Sequence, residues 1–155
     1  MKRRIGLFAA LALMLAAGSV LLAQGNPFVG TWKLNLEKSK FNPGPAPQSQ
    51  MRTWDAAGMV MVNGVGATGK AFSYGYSVKG DGKPSPTIGA IPNTADMIST
   101  KKIDANNYEA TFTKAGKTVE TTTFAVSDGG KTLTIHAKGI PEVGGFENVQ
   151  VLDKQ

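Results

Sequence analysis

The side chains able to do chemistry in this 155-residue chain are few and scattered. One imidazole, His136, and no cysteine exclude disulfides, thiolate nucleophiles and thiolate metal sites. A zinc site draws three or four ligands from Cys, His and carboxylates. A single His does not meet that need, so neither a metal nor an axially held haem is expected. His136 also alternates with Leu133, Ile135 and Ala137, which turns it toward solvent. Asp81 and Asp128 stand in Gly-rich turns without the series of oxygen ligands that a calcium loop requires, and each reads as a turn former. Paired carboxylates can act without His, but the candidates Glu109 and Glu120 both alternate with Thr and are expected to face water. Ser73 and Ser77 have no base beside them. The run Gly64-x-Gly66-x-x-Gly69 copies the spacing of a dinucleotide loop, yet Lys70 to Val78 after it has strand periodicity. No helix N-terminus would face a pyrophosphate there, and a hairpin is the better reading. Catalytic residues and cofactors are therefore expected to be absent, and an enzyme is not expected.

Charge narrows the partners. Lys and Arg number 17 against 11 Asp and Glu, a net +6, but three of the cations are Lys2, Arg3 and Arg4. Ile5 to Ala23 follows without a charge or a proline, rich in Leu and Ala, as in a secretory signal. Ala23 and Gly25 supply a small-x-small exit, so cleavage is expected after Gly25, with the bond after Ala23 as second choice. The 19 apolar residues could also stay as a membrane anchor; the small residues within the run and at its exit favour release. Residues 1–25 are thus expected to be a signal peptide and 26–155 one domain, exported to the periplasm or secreted, with no stable membrane insertion after processing. Loss of the three cations leaves 14 against 11, a net +3. That charge makes no stripe for a polyanion, and nucleic acid is not an expected partner.

The remaining chain reads as short strands and turns. Phe72, Tyr74, Tyr76 and Val78 share one face of a segment whose other face carries Ala71, Ser73, Gly75 and Ser77. Further strands are expected at Phe28 to Leu34, Gln50 to Asp55, Met59 to Asn63, Met97 to Ile103, around Tyr108 to Thr113, Thr118 to Ser127, Leu133 to Ala137 and Phe146 to Leu152. Short Gly-, Asn- and Asp-containing links such as Asp104-Ala105-Asn106-Asn107 join them as hairpins, and crossovers long enough for parallel strands are missing. Asn35 to Gln50 and Gly80 to Asn93, each with three prolines, are expected to be surface loops, the first with a helical turn at Leu36 to Phe41. Closure removes the exposed edges of such a meander. The expected fold is all-β, an antiparallel up-and-down barrel of about eight to ten strands, with two packed sheets as the alternative.

The opening Asn26-Pro27-Phe28-Val29-Gly30-Thr31-Trp32-Lys33-Leu34 resembles that of the calycins, the barrels that include lipocalins and fatty-acid-binding proteins. The shared element is Gly30-x-Trp32 on the first strand, just after the signal. The resemblance implies a bacterial secreted lipocalin-like barrel in which Gly30 and Trp32 form the structural motif that closes one end. In lipocalins an arginine late in the chain packs on this tryptophan; Arg52, the one arginine after Gly25, comes too early to match it. Fatty-acid-binding proteins carry a late Arg-x-Tyr for the ligand carboxylate. The matching stretch here is Gln150-Val151-Leu152, which supplies neither a permanent cation nor a phenol, so a head group held in that manner is not expected.

An inner surface is expected from Trp54, Met59 or Met61, Phe72, Tyr74, Tyr76, Tyr108, Phe112, Phe124 and Leu133. Two outcomes fit it, because a barrel of this size either fills its interior with side chains or leaves room for one ligand. As cavity candidates, Trp54, Phe72, Tyr74, Tyr76, Tyr108, Phe112, Phe124 and Leu133 would receive a small apolar or amphipathic molecule, giving non-catalytic binding or transport of a hydrophobic ligand outside the cytoplasm. As a filled core, they would support a secreted protein-binding or structural module that works through its outer faces.

Overall fold

A computed structural model of the protein describes residues 25–155; the expected signal sequence, apart from Gly25, lies outside the described residues. Twelve strand segments follow one another: β1 (Gly30–Leu34), β2 (Lys40–Asn42), β3 (Ser49–Trp54), β4 (Met59–Val65), β5 (Ala71–Ser77), β6 (Asp81–Pro86), β7 (Ile88–Gly89), β8 (Met97–Asp104), β9 (Asn107–Lys114), β10 (Lys117–Ser127), β11 (Thr132–Gly139) and β12 (Glu147–Lys154). They form one antiparallel sheet in the order β6-β8-β9-β10-β11-β12-β1-β3-β4-β5-β7, an up-and-down meander barrel of calycin-like type. No helix among the described residues is long and apolar enough to cross a membrane.

Two connectors expected to be loops contribute the extra segments. β2 pairs with Glu147–Val149 of β12 while β1 pairs with Leu152–Lys154, so β1 and β2 are two pieces of one row. Of the helical turn expected at Leu36 to Phe41, residues 36–38 form a turn in which Ser39 N–H donates to the Leu36 carbonyl at 3.4 Å, and strand pairing takes over from Lys40. Likewise β6 pairs with β8 and, one residue later, β7 pairs with β5 at Gly75↔Ile88 and Tyr74↔Gly89. The two free edges of the sheet are therefore consecutive parts of one stretch, joined at Thr87, and the barrel is nearly closed there. Pro84 and Pro86 fit because β6 is an edge strand, which need not donate hydrogen bonds on its free side.

Period-two alternation accounts for most inward side chains. On β9 the buried residues are Tyr108, Ala110 and Phe112; on β11 they are Leu133, Ile135 and Ala137. On β4 the register is the reverse of that expected: Val60 and Val62 are buried, and Met59 and Met61 lie half-buried on the outside. Both sets are apolar, so alternation alone does not distinguish them. The outer half-cover of Met61 explains Gly75, where an added Cβ would come within 2.4 Å of the Met61 sulfur and 2.9 Å of the Val60 carbonyl.

One end of the barrel is solid. Trp32 is fully buried, and its indole N–H donates to the Phe28 carbonyl at 2.8 Å, tying the chain entry across the barrel end. Phe28 packs on Trp54 and Tyr108 with ring centroids 4.7 and 5.0 Å apart, and Trp54 meets Phe124 edge-on. The late cation over the tryptophan is a lysine. Lys154 Nζ lies 4.9 Å from the Trp32 ring centroid and donates to the Pro27 carbonyl at 3.1 Å. Its side chain crosses Gly30, whose φ of +141° and missing Cβ leave the space; a Cβ there would sit 2.8 Å from Lys154 Cε. Trp32→Ala removes this packing, the indole hydrogen bond and the cation–π contact together. It should lower unfolding free energy by about 3–5 kcal/mol, read from urea denaturation followed by circular dichroism; a loss under about 1 kcal/mol would show that the end is not closed by Trp32.

Candidate functional site

The opposite end is hollow. A cavity of about 500 Å³ opens between the Pro43–Pro47 loop, the Gly66–Ala67 turn, Ile91–Asn93 and the Val143–Phe146 segment. Phe72, Tyr74, Tyr76, Phe112 and Phe124 line it, so five of the eight expected cavity residues meet there. Trp54, Tyr108 and Leu133 do not: Trp54 and Tyr108 pack on Phe28 in the solid end, and Leu133, paired with Leu152, is fully buried. Within the cavity wall Tyr76 is edge-on to Phe112 at 5.4 Å and tilted on Phe124 at 6.5 Å, and Phe124 joins this wall to Trp54 of the solid end.

The walls also carry polar groups in addition to the expected aromatic surface. On β3 the buried residues are Gln50, Arg52 and Trp54, alternating with exposed Ser49, Met51 and Thr53. Arg52 is 2% exposed and donates from Nη1 to the Tyr76 hydroxyl. Its Nε is buried and has no hydrogen-bond partner among the described residues. The guanidinium also lies 5.8 Å from the Tyr76 ring centroid. Burial pushes the Tyr74 and Tyr76 hydroxyls above the usual phenol range, with Arg52 opposing the shift, so both stay protonated hydrogen-bond donors.

Glu120, expected to face water, faces the interior. The pairing of β9 with β10 slips between Thr118 and Glu120, and this bulge makes two neighbours, Val119 and Glu120, both point inward before alternation resumes with Thr122 and Phe124. Glu109, across on β9, is exposed as expected. One Glu120 oxygen accepts from Asn93 Nδ2 at 2.6 Å and the other from the Thr122 hydroxyl. Asn93 is held in turn through its Oδ1, which accepts from the Ala95 backbone N–H at 3.0 Å. Desolvation raises the Glu120 pKa above the ordinary carboxylate value, opposed by the bonds from Thr122 and Asn93 and by the charge of Arg52. Nearer the mouth, Gln50 Nε2 donates to Gln150 Oε1 at 2.9 Å, bridging β3 and β12 where β1 has turned away.

Other candidates sit elsewhere. His136 is exposed and meets Glu147 at 2.9 Å. The Gly64–Gly69 run lies at the β4–β5 hairpin, with Gly66 and Lys70 bonded across the turn. Asp81 accepts from the Lys83 backbone N–H as a turn residue. No cluster of three or more His, Cys, Asp or Glu side chains suited to a metal ion is present among the described residues.

Fold and site together define a calycin-like barrel, solid at one end and opening at the other into an aromatic pocket with buried polar groups on its walls. No protein-family model matches the chain, and no curated protein matches it significantly.

Glu120 gives this arrangement a pH signature. Its folded pKa lies above its unfolded value, so the unfolded chain gives up the proton first as pH rises. From about pH 4.3 upward the folded protein holds the extra proton, and this site's contribution makes stability fall with rising pH until Glu120 ionises in place. Glu120→Gln removes that slope. Urea titrations between about pH 4 and about pH 7 should show the variant gaining on the wild type as pH rises; a pH-independent difference would place Glu120 in water.

Proposed function

We propose that the protein binds a small apolar or amphipathic molecule in the open half of its barrel and releases it chemically unaltered, outside the cytoplasm. The supporting observation is the cavity of about 500 Å³ walled by Phe72, Tyr74, Tyr76, Phe112 and Phe124. That volume falls within the range of roughly 300–1,000 Å³ common for small-molecule sites, and an apolar lining with a few polar groups is their usual chemistry. The solid end supplies the rigidity such a site requires, because its aromatic cluster reaches the cavity floor through Phe124. The positive start, apolar run and small-residue exit in residues 1–25 support export to the periplasm or beyond.

An environment-sensitive apolar dye should therefore bind and be displaced by members of a panel of small lipids, retinoids and aromatic compounds. Ala137 lies on the cavity wall, where a larger side chain would occupy ligand space. Ala137→Phe should weaken dye binding about tenfold or more, with an unchanged circular-dichroism spectrum. A folded protein that binds neither dye nor any panel member would overturn the reading and turn attention to the outer faces. Intact-mass analysis of the protein recovered from cell fractions should give a chain starting at Asn26 in the periplasm or medium; an unprocessed chain in the cytoplasm would refute export.

A further inference from the structure

We propose that the preferred ligand is a compact aromatic monoacid whose anionic group enters first and seats against Arg52. This inference rests on the proposed binding function and specifies its ligand class.

The charge comes from one side chain. Arg52 is a cation lining the cavity wall at 2% exposure, and its Nε–H has no acceptor among the described residues. A guanidinium keeps its charge at any physiological pH and carries five donors, so it cannot relieve its burial by losing a proton. Arg52 makes no ion pair with a carboxylate among the described residues. Among the described residues the ion pairs are Lys38–Asp153 and His136–Glu147, both on the outer surface. Tyr76 offers a neutral hydroxyl. Glu120 is the carboxylate in the same cavity, but its two oxygens already accept from Asn93 and Thr122, and it makes no salt bridge to Arg52. A buried cation without a carboxylate in contact is costly. An entering carboxylate or sulfonate supplies both the counter-charge and the acceptor oxygens.

The shape of the ligand follows from depth. Arg52 stands between Gln50, nearer the mouth, and Trp54, which belongs to the solid end, so a head group that reaches Arg52 has reached the floor. From Arg52 to Gln48, beyond the outer end of β3, is four residues, or about 13 Å of extended chain. One ring or two fused rings fill that depth; a long alkyl chain would project through the mouth. The walls at that level are flat rings, Phe72, Tyr74, Tyr76 and Phe112, which offer stacking and edge contacts to another aromatic body.

The test compares three probes of one shape by isothermal titration calorimetry at neutral pH: 2-naphthoate, neutral 2-naphthamide and cationic 2-naphthylmethylammonium. The wild-type protein should bind the acid about tenfold or more tighter than the amide, and the cation least. Arg52→Gln, checked for folding by circular dichroism, should bring acid and amide to equal affinity. Arg52→Lys, which keeps the charge, should restore part of the preference. The wild-type comparison needs no variant, so it stands if either substitution prevents folding. Equal wild-type affinity for acid and amide, or an acid preference retained in folded Arg52→Gln, would overturn the proposal. If the apolar dye binds and all three probes displace it equally, the acid assignment fails while cavity binding stands. If dye and probes all fail to bind, the failure belongs to the binding function itself.

Discussion

The pairing of β1 with β12 sets Trp32 against Lys154 and Leu34 against Leu152, and through it the first row of the sheet becomes the neighbour of the last. That contact turns a twisted ribbon of hairpins into an enclosure, and it forms where the tryptophan and the lysine also meet side chain to side chain. An enclosure has an inside only if something seals it. Trp32 does so by spending its indole N–H on Phe28, the residue through which the chain enters, so the seal and the strand register are fixed by the same side chain. Gly30 belongs to this constraint because any Cβ there would meet the lysine that holds the tryptophan.

With one end sealed, the two halves of the interior obey different rules. In the solid half Phe28, Trp54 and Tyr108 pack on one another, and Trp32, Leu133 and Leu152 are fully buried. In the open half the same strands turn inward Gln50, Arg52, Glu120, Thr122 and Gln150. Uniform packing would favour apolar residues at all of these positions, since replacing buried ionic groups by well-packed apolar ones is commonly neutral or stabilising. The buried charged residues Arg52 and Glu120 both stand in the half that opens to the mouth. There the Glu120 carboxylate is held by Asn93 and Thr122, and the Arg52 guanidinium is only partly satisfied by Tyr76.

Alternation made the fold legible and left the site half hidden. Each of the nine expected strands overlaps a strand of the barrel, because apolar residues two apart and turn residues between the runs suffice to mark a meander. β6 was concealed by Pro84 and Pro86, whose tolerance depends on edge position, a property of the assembled sheet, and β2 and β7 by their length of three and two residues. Glu120 was concealed by a bulge, which reverses phase without leaving a mark in residue types. Arg52 was legible: it shares phase with Trp54, and a strand that turns the tryptophan inward must turn the arginine inward too. What alternation does not encode is depth. It places Tyr108 and Phe112 on the same face of β9, yet one belongs to the solid end and the other to the cavity wall.

Depth is set by where the loops gather and where the seal stands. The Pro43–Pro47 loop and the Val143–Phe146 segment surround the mouth, while the seal is made from residues at the far ends of β1 and β12. β2 pairs with the mouth end of β12 and β1 with its sealed end, so the break between β1 and β2 lies along the depth of the barrel. At that break β3 and β12 are linked from inside by Gln50 and Gln150, a pair of neutral amides in place of a backbone ladder. A strand row interrupted at mid-depth relaxes the backbone pairing beside the cavity, whereas at the sealed end β1 bridges β12 and β3. The barrel thus separates the stiffness that its closure demands from the room that a ligand would need.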